Sequence, residues 1–133
     1  MIGLDTNVLV RFFAQDDAKQ SLLATRLING LSKESPAFVS LITLCELVWV
    51  LESAYGVAKE EIVSILRRLL ESDEMVIEDK PLVWAAFGAF QNASLDFGDA
   101  LVLEAGKKAG CTHTFTFDKV ASRTKGFVEL KGK

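Results

Sequence analysis

Met1-Ile2-Gly3-Leu4-Asp5-Thr6-Asn7-Val8-Leu9-Val10-Arg11 opens the chain with a short apolar strand candidate, residues 1–4, that stops on an acid. The same unit recurs along the chain. Residues 20–31 put Leu23, Ala24, Leu27, Ile28 and Leu31 on one helical face. Residues 36–40 read as a second strand, and residues 43–55 as an apolar helix stopped by Gly56. Residues 60–72 carry Ile62, Ile65, Leu66, Leu69 and Leu70 at helical spacing, and residues 75–77 read as a third strand. Pro81 suits the first turn of a helix bearing Trp84, Phe87 and Phe90. A helix over residues 99–109 stops at Gly110, and two β-rich runs follow at 113–117 and 127–130. Strands alternating with helices predict one α/β domain over residues 1–133, with a mostly parallel sheet and helices on both faces. Right-handed crossovers then bring the helix starts to the carboxyl edge of the strands.

Four acids stand at those starts: Asp5, Glu46, Asp99 and Asp118. Each has a structural alternative. Asp5 and Asp118 suit N-caps, Thr43-x-x-Glu46 reads as a capping box, and Asp96-x-x-Asp99 as a cap followed by a dipole-favoured carboxylate. Four carboxylates gathered at one sheet edge would repel and raise one another's pKa, a crowding that capping does not require. Oxygen ligands without cysteine or histidine suit Mg²⁺ or Mn²⁺. Such a cluster can hydrolyse a phosphodiester with metal-activated water.

The bulk numbers agree with a small soluble enzyme. The chain has 133 residues, half of them apolar and a quarter charged, enough for a core without disulfides. No apolar run approaches the roughly 18 residues of a membrane helix, and the acid at position 5 interrupts any leader-like start. The expected location is cytoplasmic, away from membranes, with Cys45 and Cys111 as reduced core thiols. The net charge of −3 divides as +5 over residues 107–133, seven bases against two acids, and −8 over the rest. A basic rim beside an acidic site and a solvated basic tail both fit that split.

Leu4-Asp5-Thr6-Asn7-Val8-Leu9-Val10-Arg11, the Asp16-Asp17 pair, Ser40-x-x-Thr43-x-x-Glu46-Leu47, Asp96-Phe97-Gly98-Asp99-Ala100-Leu101 and Thr114-Phe115-Thr116-Phe117-Asp118-Lys119 resemble, in order, the motifs of PIN domains. They are most similar to the VapC-type toxin branch. The resemblance implies a five-stranded parallel sheet in an α/β/α sandwich, Mg²⁺ or Mn²⁺ in an acidic pocket, RNA cleavage, a homodimer and a cognate antitoxin protein. Carried over by position, the catalytic metal ligands are Asp5, Glu46, Asp99 and Asp118, supported by Thr6 and Thr116. The last motif departs from the commoner Thr-Arg-Asn pattern, which makes Asp118 the least secure of the four.

Other residues keep two readings. Asp96 is an outer ligand or an N-cap. Arg11 contacts substrate phosphate, orients the acids, or is a solvated helix-face residue. Lys119 and Arg123, beside Asp118, are phosphate-contact candidates. Asp16 and Asp17 start a helix rather than bind metal. Trp84, Phe87 and Phe90 suit a core or dimer stripe better than a base-stacking platform.

Competing classes fit less well. Metal-free acid–base cleavage wants two placed groups, often histidines, and His113 is the only histidine. A haloacid-dehalogenase-like hydrolase wants a second Asp where Asn7 stands. A receiver domain wants paired acids near the start and a late lysine. A structure-specific DNA nuclease wants added binding segments, and an inactive PIN module serving as a binding protein has no use for all four acids.

Overall fold

The computed structural model describes residues 1–132, so Lys133, the last base of the positive segment, lies outside the described residues. The chain divides into two compact units, Met1–Lys80 and Pro81–Lys133.

In the first unit, strand β1 (Ile2–Gly3), helices α1 (Thr6–Ala14) and α2 (Ala18–Asn29), strand β2 (Ala37–Val39), helices α3 (Leu41–Ser53) and α4 (Lys59–Glu71) and strand β3 (Met75–Ile77) follow in order. The strands form a parallel sheet in the order β1-β2-β3, with Ile2 opposite Ala37 and Phe38 opposite Val76. Parallel strands need crossovers, and the helices between them supply these. Ala37, Val39, Met75 and Ile77 are buried on one face of the sheet, whereas Val76 and both residues of β1 are exposed.

Helix α4 follows its periodicity. Ile62, Ile65, Leu66, Leu69 and Leu70 are all buried, and Glu60 and Glu61 oppose the helix dipole in a first turn that has no side-chain cap. Helix α1 is not announced by spacing, because Val8-Leu9-Val10 and Phe12-Phe13 form a near-continuous apolar run that suits a strand as well. Asp5 decides it by accepting the Thr6 amide at 2.8 Å, and Leu9 and Val10 go into the core.

In the second unit, helices α5 (Lys80–Asn92) and α6 (Phe97–Ala109) precede strand β4 (Thr114–Thr116), a 3₁₀ turn (Ala121–Arg123) and strand β5 (Phe127–Glu129). Strands β4 and β5 are parallel, with Phe115 opposite Val128. Phe87 and Phe90 are buried, and Phe90 meets Phe97 edge-on at 5.8 Å, which supports the core reading for those two, whereas Trp84 is exposed. Gly110 ends α6 at φ 97°, a left-handed cap suited to glycine.

The fold is α/β with five short strands among the described residues, paired in parallel throughout. Its ladders group as three strands and two rather than as one run of five. Cys45 is half-buried, but Cys111 is exposed rather than in a core, because it sits on the surface turn just past the Gly110 cap. No helix among the described residues is long and apolar enough to cross a membrane.

Candidate active site

In the first unit, the chain leaves each parallel strand at the same edge and meets a polar residue there. Asp5 follows β1, Ser40 follows β2 and Glu78 follows β3. Ser40 Oγ accepts the Thr43 amide at 3.1 Å, and Glu78 Oε1 accepts the Leu41 amide at 2.9 Å. Two side chains thus cap the start of α3.

The expected Thr43-x-x-Glu46 capping box is therefore incorrect. The helix begins two residues earlier, because Ser40 is the better-placed cap, and Glu46 falls in the second turn, beyond the reach of free amides. Glu46 instead accepts a hydrogen bond from Thr6 Oγ1 at 2.9 Å. Thr6 is buried, and it contacts both acids: its N–H goes to Asp5 Oδ1 and its O–H to Glu46 Oε1. One oxygen of each carboxylate is held, and Asp5 and Glu46 are both exposed.

In the second unit, Asp96 occupies the N-cap position of α6 but makes no side-chain cap hydrogen bond. Asp99 is the third residue of that helix rather than its first. Its carboxyl is pushed above the ordinary value, first by burial and then by the negative charges of Asp96 and Asp118. Asp118 follows β4, where Oδ1 accepts the amides of Val120 at 2.8 Å and Ala121 at 3.1 Å. Thr116 Oγ1 accepts the Asp118 amide at 3.0 Å, so Thr116 holds the turn that presents this acid.

The remaining candidates divide. Lys119 and Arg123 are exposed near Asp118 in sequence. Arg11 is engaged within its own unit: Nη1 meets Asp16 at 3.1 Å and Tyr55 Oη at 2.9 Å, and Nε donates to Gln20 Oε1 at 2.7 Å. Asp17 caps α2 through the Gln20 amide, as a helix-starting residue should. Ser40 stood in a quoted motif without a role, and a serine between a strand and an apolar helix was its capping signal. Glu78 and Tyr55 act across 37 and 44 residues and leave no local signal.

The donor chemistry fits a hard divalent cation, since every candidate is a carboxylate or hydroxyl oxygen. The crowding of Asp99 by Asp96 and Asp118 is of the kind a cation relieves. Among the described residues, no three histidine, cysteine, aspartate or glutamate side chains are close enough to cage an ion by themselves.

A family model described as PIN domain matches residues 2–126. A VapC ribonuclease of Aquifex aeolicus (strain VF5) is 26% identical over 116 residues, covering 87% of this chain and 86% of the relative. The crystal structure of Mycobacterium tuberculosis VapC20, described as a sarcin-ricin loop cleaving toxin, is 22% identical. It aligns over 99% of this chain and all of the other, with a TM-score of 0.47.

Proposed function

We propose, from the premise that this chain belongs to the PIN domain family, that it is a divalent-metal-dependent endoribonuclease and the toxin half of a toxin–antitoxin pair. The observation that carries the chemistry is Asp99, raised by burial and by Asp96 and Asp118 together, a crowding that helix capping does not need. Glu46 adds to it: it caps nothing, and a buried threonine holds it in place. The ribonuclease assignment is supported by the similar VapC ribonuclease.

In this reading Asp5, Glu46, Asp99 and Asp118 are the ligands of Mg²⁺ or Mn²⁺. The bound cation would supply Lewis acidity at the scissile phosphate. Thr6 holds one oxygen of Asp5 and one of Glu46 and leaves the other oxygen of each for ligation. Thr116 fixes the turn that carries Asp118, and Asp96 adds negative charge next to Asp99. Lys119 and Arg123 are proposed to meet the substrate backbone. Hydrolysis by water attack in line at phosphorus leaves a 5′-phosphate and a 3′-hydroxyl. End-group analysis of a cleaved RNA oligonucleotide, with a DNA control of the same sequence, tests this. A 2′,3′-cyclic phosphate, or undiminished cleavage in excess chelator, overturns the mechanism, and cleavage confined to DNA overturns the substrate.

A homodimer, a cognate antitoxin and a cytoplasmic location complete the proposal. Exposed Ile42 and Trp49 on α3 offer an apolar face for a second copy, since large exposed apolar side chains grouped on one element mark contact surfaces. An apolar groove of about 320 Å³ along α1 and α2, lined by Val8, Leu23, Ala24 and Leu27, offers one for the partner. The expected result is a dimer by light scattering. A monomer at high micromolar concentration excludes the dimer, and harmless expression of the active enzyme without any partner excludes the antitoxin.

A further inference from the structure

Arg11, Asp16, Gln20 and Tyr55 form a polar cluster in the first unit that no metal or phosphate role requires. Arg11 Nη1 donates to Asp16 Oδ1 at 3.1 Å, to Oδ2 at 3.2 Å and to Tyr55 Oη at 2.9 Å. Arg11 Nε donates to Gln20 Oε1 at 2.7 Å, and Tyr55 Oη donates to Asp16 Oδ2 at 2.6 Å. The four residues come from α1, the α1–α2 loop, the first turn of α2 and the segment two residues past the end of α3.

The loop itself is pinned. Gln15 takes a left-handed φ of 52°, and its side-chain amide donates to Phe12 O at 2.8 Å and Thr25 Oγ1 at 3.1 Å. The Tyr55 hydroxyl holds the Asp16 carboxyl below its ordinary value by donating to it, and is itself pushed above the usual phenol range by that bond. A single exposed ion pair would constrain little. Here three groups close a ring around one guanidinium, and a planar fork suits that task.

Helix α1 is tied at two levels. Thr6 at its start meets Glu46 on α3, and Arg11 farther along meets Tyr55 in the segment that continues just past the end of α3. Two ties, one on α3 and one just beyond its end, fix both the spacing and the slide of α1 against it. We infer that Arg11, Asp16 and Tyr55 are positioning residues: a clasp that holds α1 against α3 in the register that keeps Asp5 and Glu46 at their Thr6-bridged spacing. This rests on the ribonuclease reading for its kinetic test. Arg11 then acts through the helix that bears Asp5, not by touching substrate.

The test compares Arg11→Gln, Arg11→Lys, Asp16→Asn, Tyr55→Phe and the double variant Arg11→Gln/Tyr55→Phe. kcat and KM are measured for an RNA oligonucleotide with Mn²⁺, and deuterium uptake is followed in α1. A clasp predicts that each single change lowers kcat by about 3- to 10-fold with KM unchanged. The double variant should be no worse than the poorer single, because coupled residues are not additive. Arg11→Lys should behave like Arg11→Gln, since a lysine keeps the charge but cannot span Gln20, Asp16 and Tyr55. Uptake in α1 should rise in every variant. A raised KM for Arg11→Gln, with Arg11→Lys and Tyr55→Phe at wild-type values, makes Arg11 a substrate contact and overturns the clasp. If wild-type protein cleaves no RNA, the ribonuclease reading falls, and deuterium uptake still decides the clasp: unchanged protection of α1 in Tyr55→Phe and Asp16→Asn rejects it.

Discussion

Asp5→Asn and Asp99→Asn should each reduce RNA cleavage by more than about 100-fold while leaving the fold intact. Changing an outer partner of a metal ligand typically costs about 10- to 100-fold, so loss of a ligand's own charge should exceed that range. The two substitutions isolate charge from structure for different reasons. Asp5 is the N-cap of α1, and asparagine caps as well as aspartate, with an Oδ1 that still accepts the Thr6 amide. Asp99 caps nothing, lies in the third position of α6 and is crowded by Asp96 and Asp118, so an amide there relieves repulsion. Circular dichroism should stay close to wild type for both; in chelator the urea midpoint of Asp5→Asn should also stay close, and that of Asp99→Asn should rise. If both variants cleave at rates within about threefold of wild type, Asp5 and Asp99 do not hold the catalytic ion.

How far a sequence announces such a site depends on the range of the forces that build it. Helix α4 was legible because its five buried residues repeat at helical spacing and its exterior is charged. Strand β3 was legible because turn signals bound a three-residue apolar run. Helix α1 was not read, since Val8-Leu9-Val10 and Phe12-Phe13 form a nearly unbroken apolar run that suits a strand as well as a helix. The start of α3 was misplaced for a related reason. Thr43 and Glu46 match a capping pattern, but Ser40, three residues earlier, is the side chain that accepts the Thr43 amide, and Glu78 arrives from β3 to finish the cap. The acids were legible as residues following strands. What each acid does was not, because it depends on partners distant in sequence: Thr6 lies 40 residues from Glu46. Arg11 shows the limit most clearly. As a lone cation on a helix it suits a phosphate contact, yet Tyr55, 44 residues away, takes part of its donor capacity. The grouping of strands was also beyond reach, because strands of two or three residues carry too few side chains to specify which edges pair.

Mn²⁺ should raise the melting temperature of the wild-type protein by about 10 °C at a hundred times its dissociation constant, and Asp99→Asn should gain little. A ligand that binds only the folded state at that concentration stabilises by roughly 2.7 kcal/mol, and for a chain of this size that is about 10 °C. Without metal the same acid works against the fold. The folded pKa of Asp99 lies above its unfolded value of about 4. Between those two values the folded state binds more protons than the unfolded one. The stability contributed by Asp99 is therefore fully present below the unfolded pKa and is lost as pH rises through the folded one. In chelator at pH 7.5 the carboxylate is charged, partly buried and next to Asp96 and Asp118, so Asp99→Asn should melt higher than wild type. At pH 4 that advantage should shrink, because a larger share of the wild-type carboxyl is then protonated in the folded state. Asp5 is less suited to this experiment, since it caps α1 and its charge is favoured by the helix dipole there. Stabilisation in chelator combined with loss of the Mn²⁺ response is the behaviour expected of a residue kept for ligation at a cost in stability. The measurement is four melting curves at pH 7.5, wild type and Asp99→Asn each in chelator or Mn²⁺, with the chelator pair repeated at pH 4. Equal Mn²⁺ shifts in both proteins would mean that the ion binds elsewhere, and no shift in either would remove the metal from the proposed mechanism.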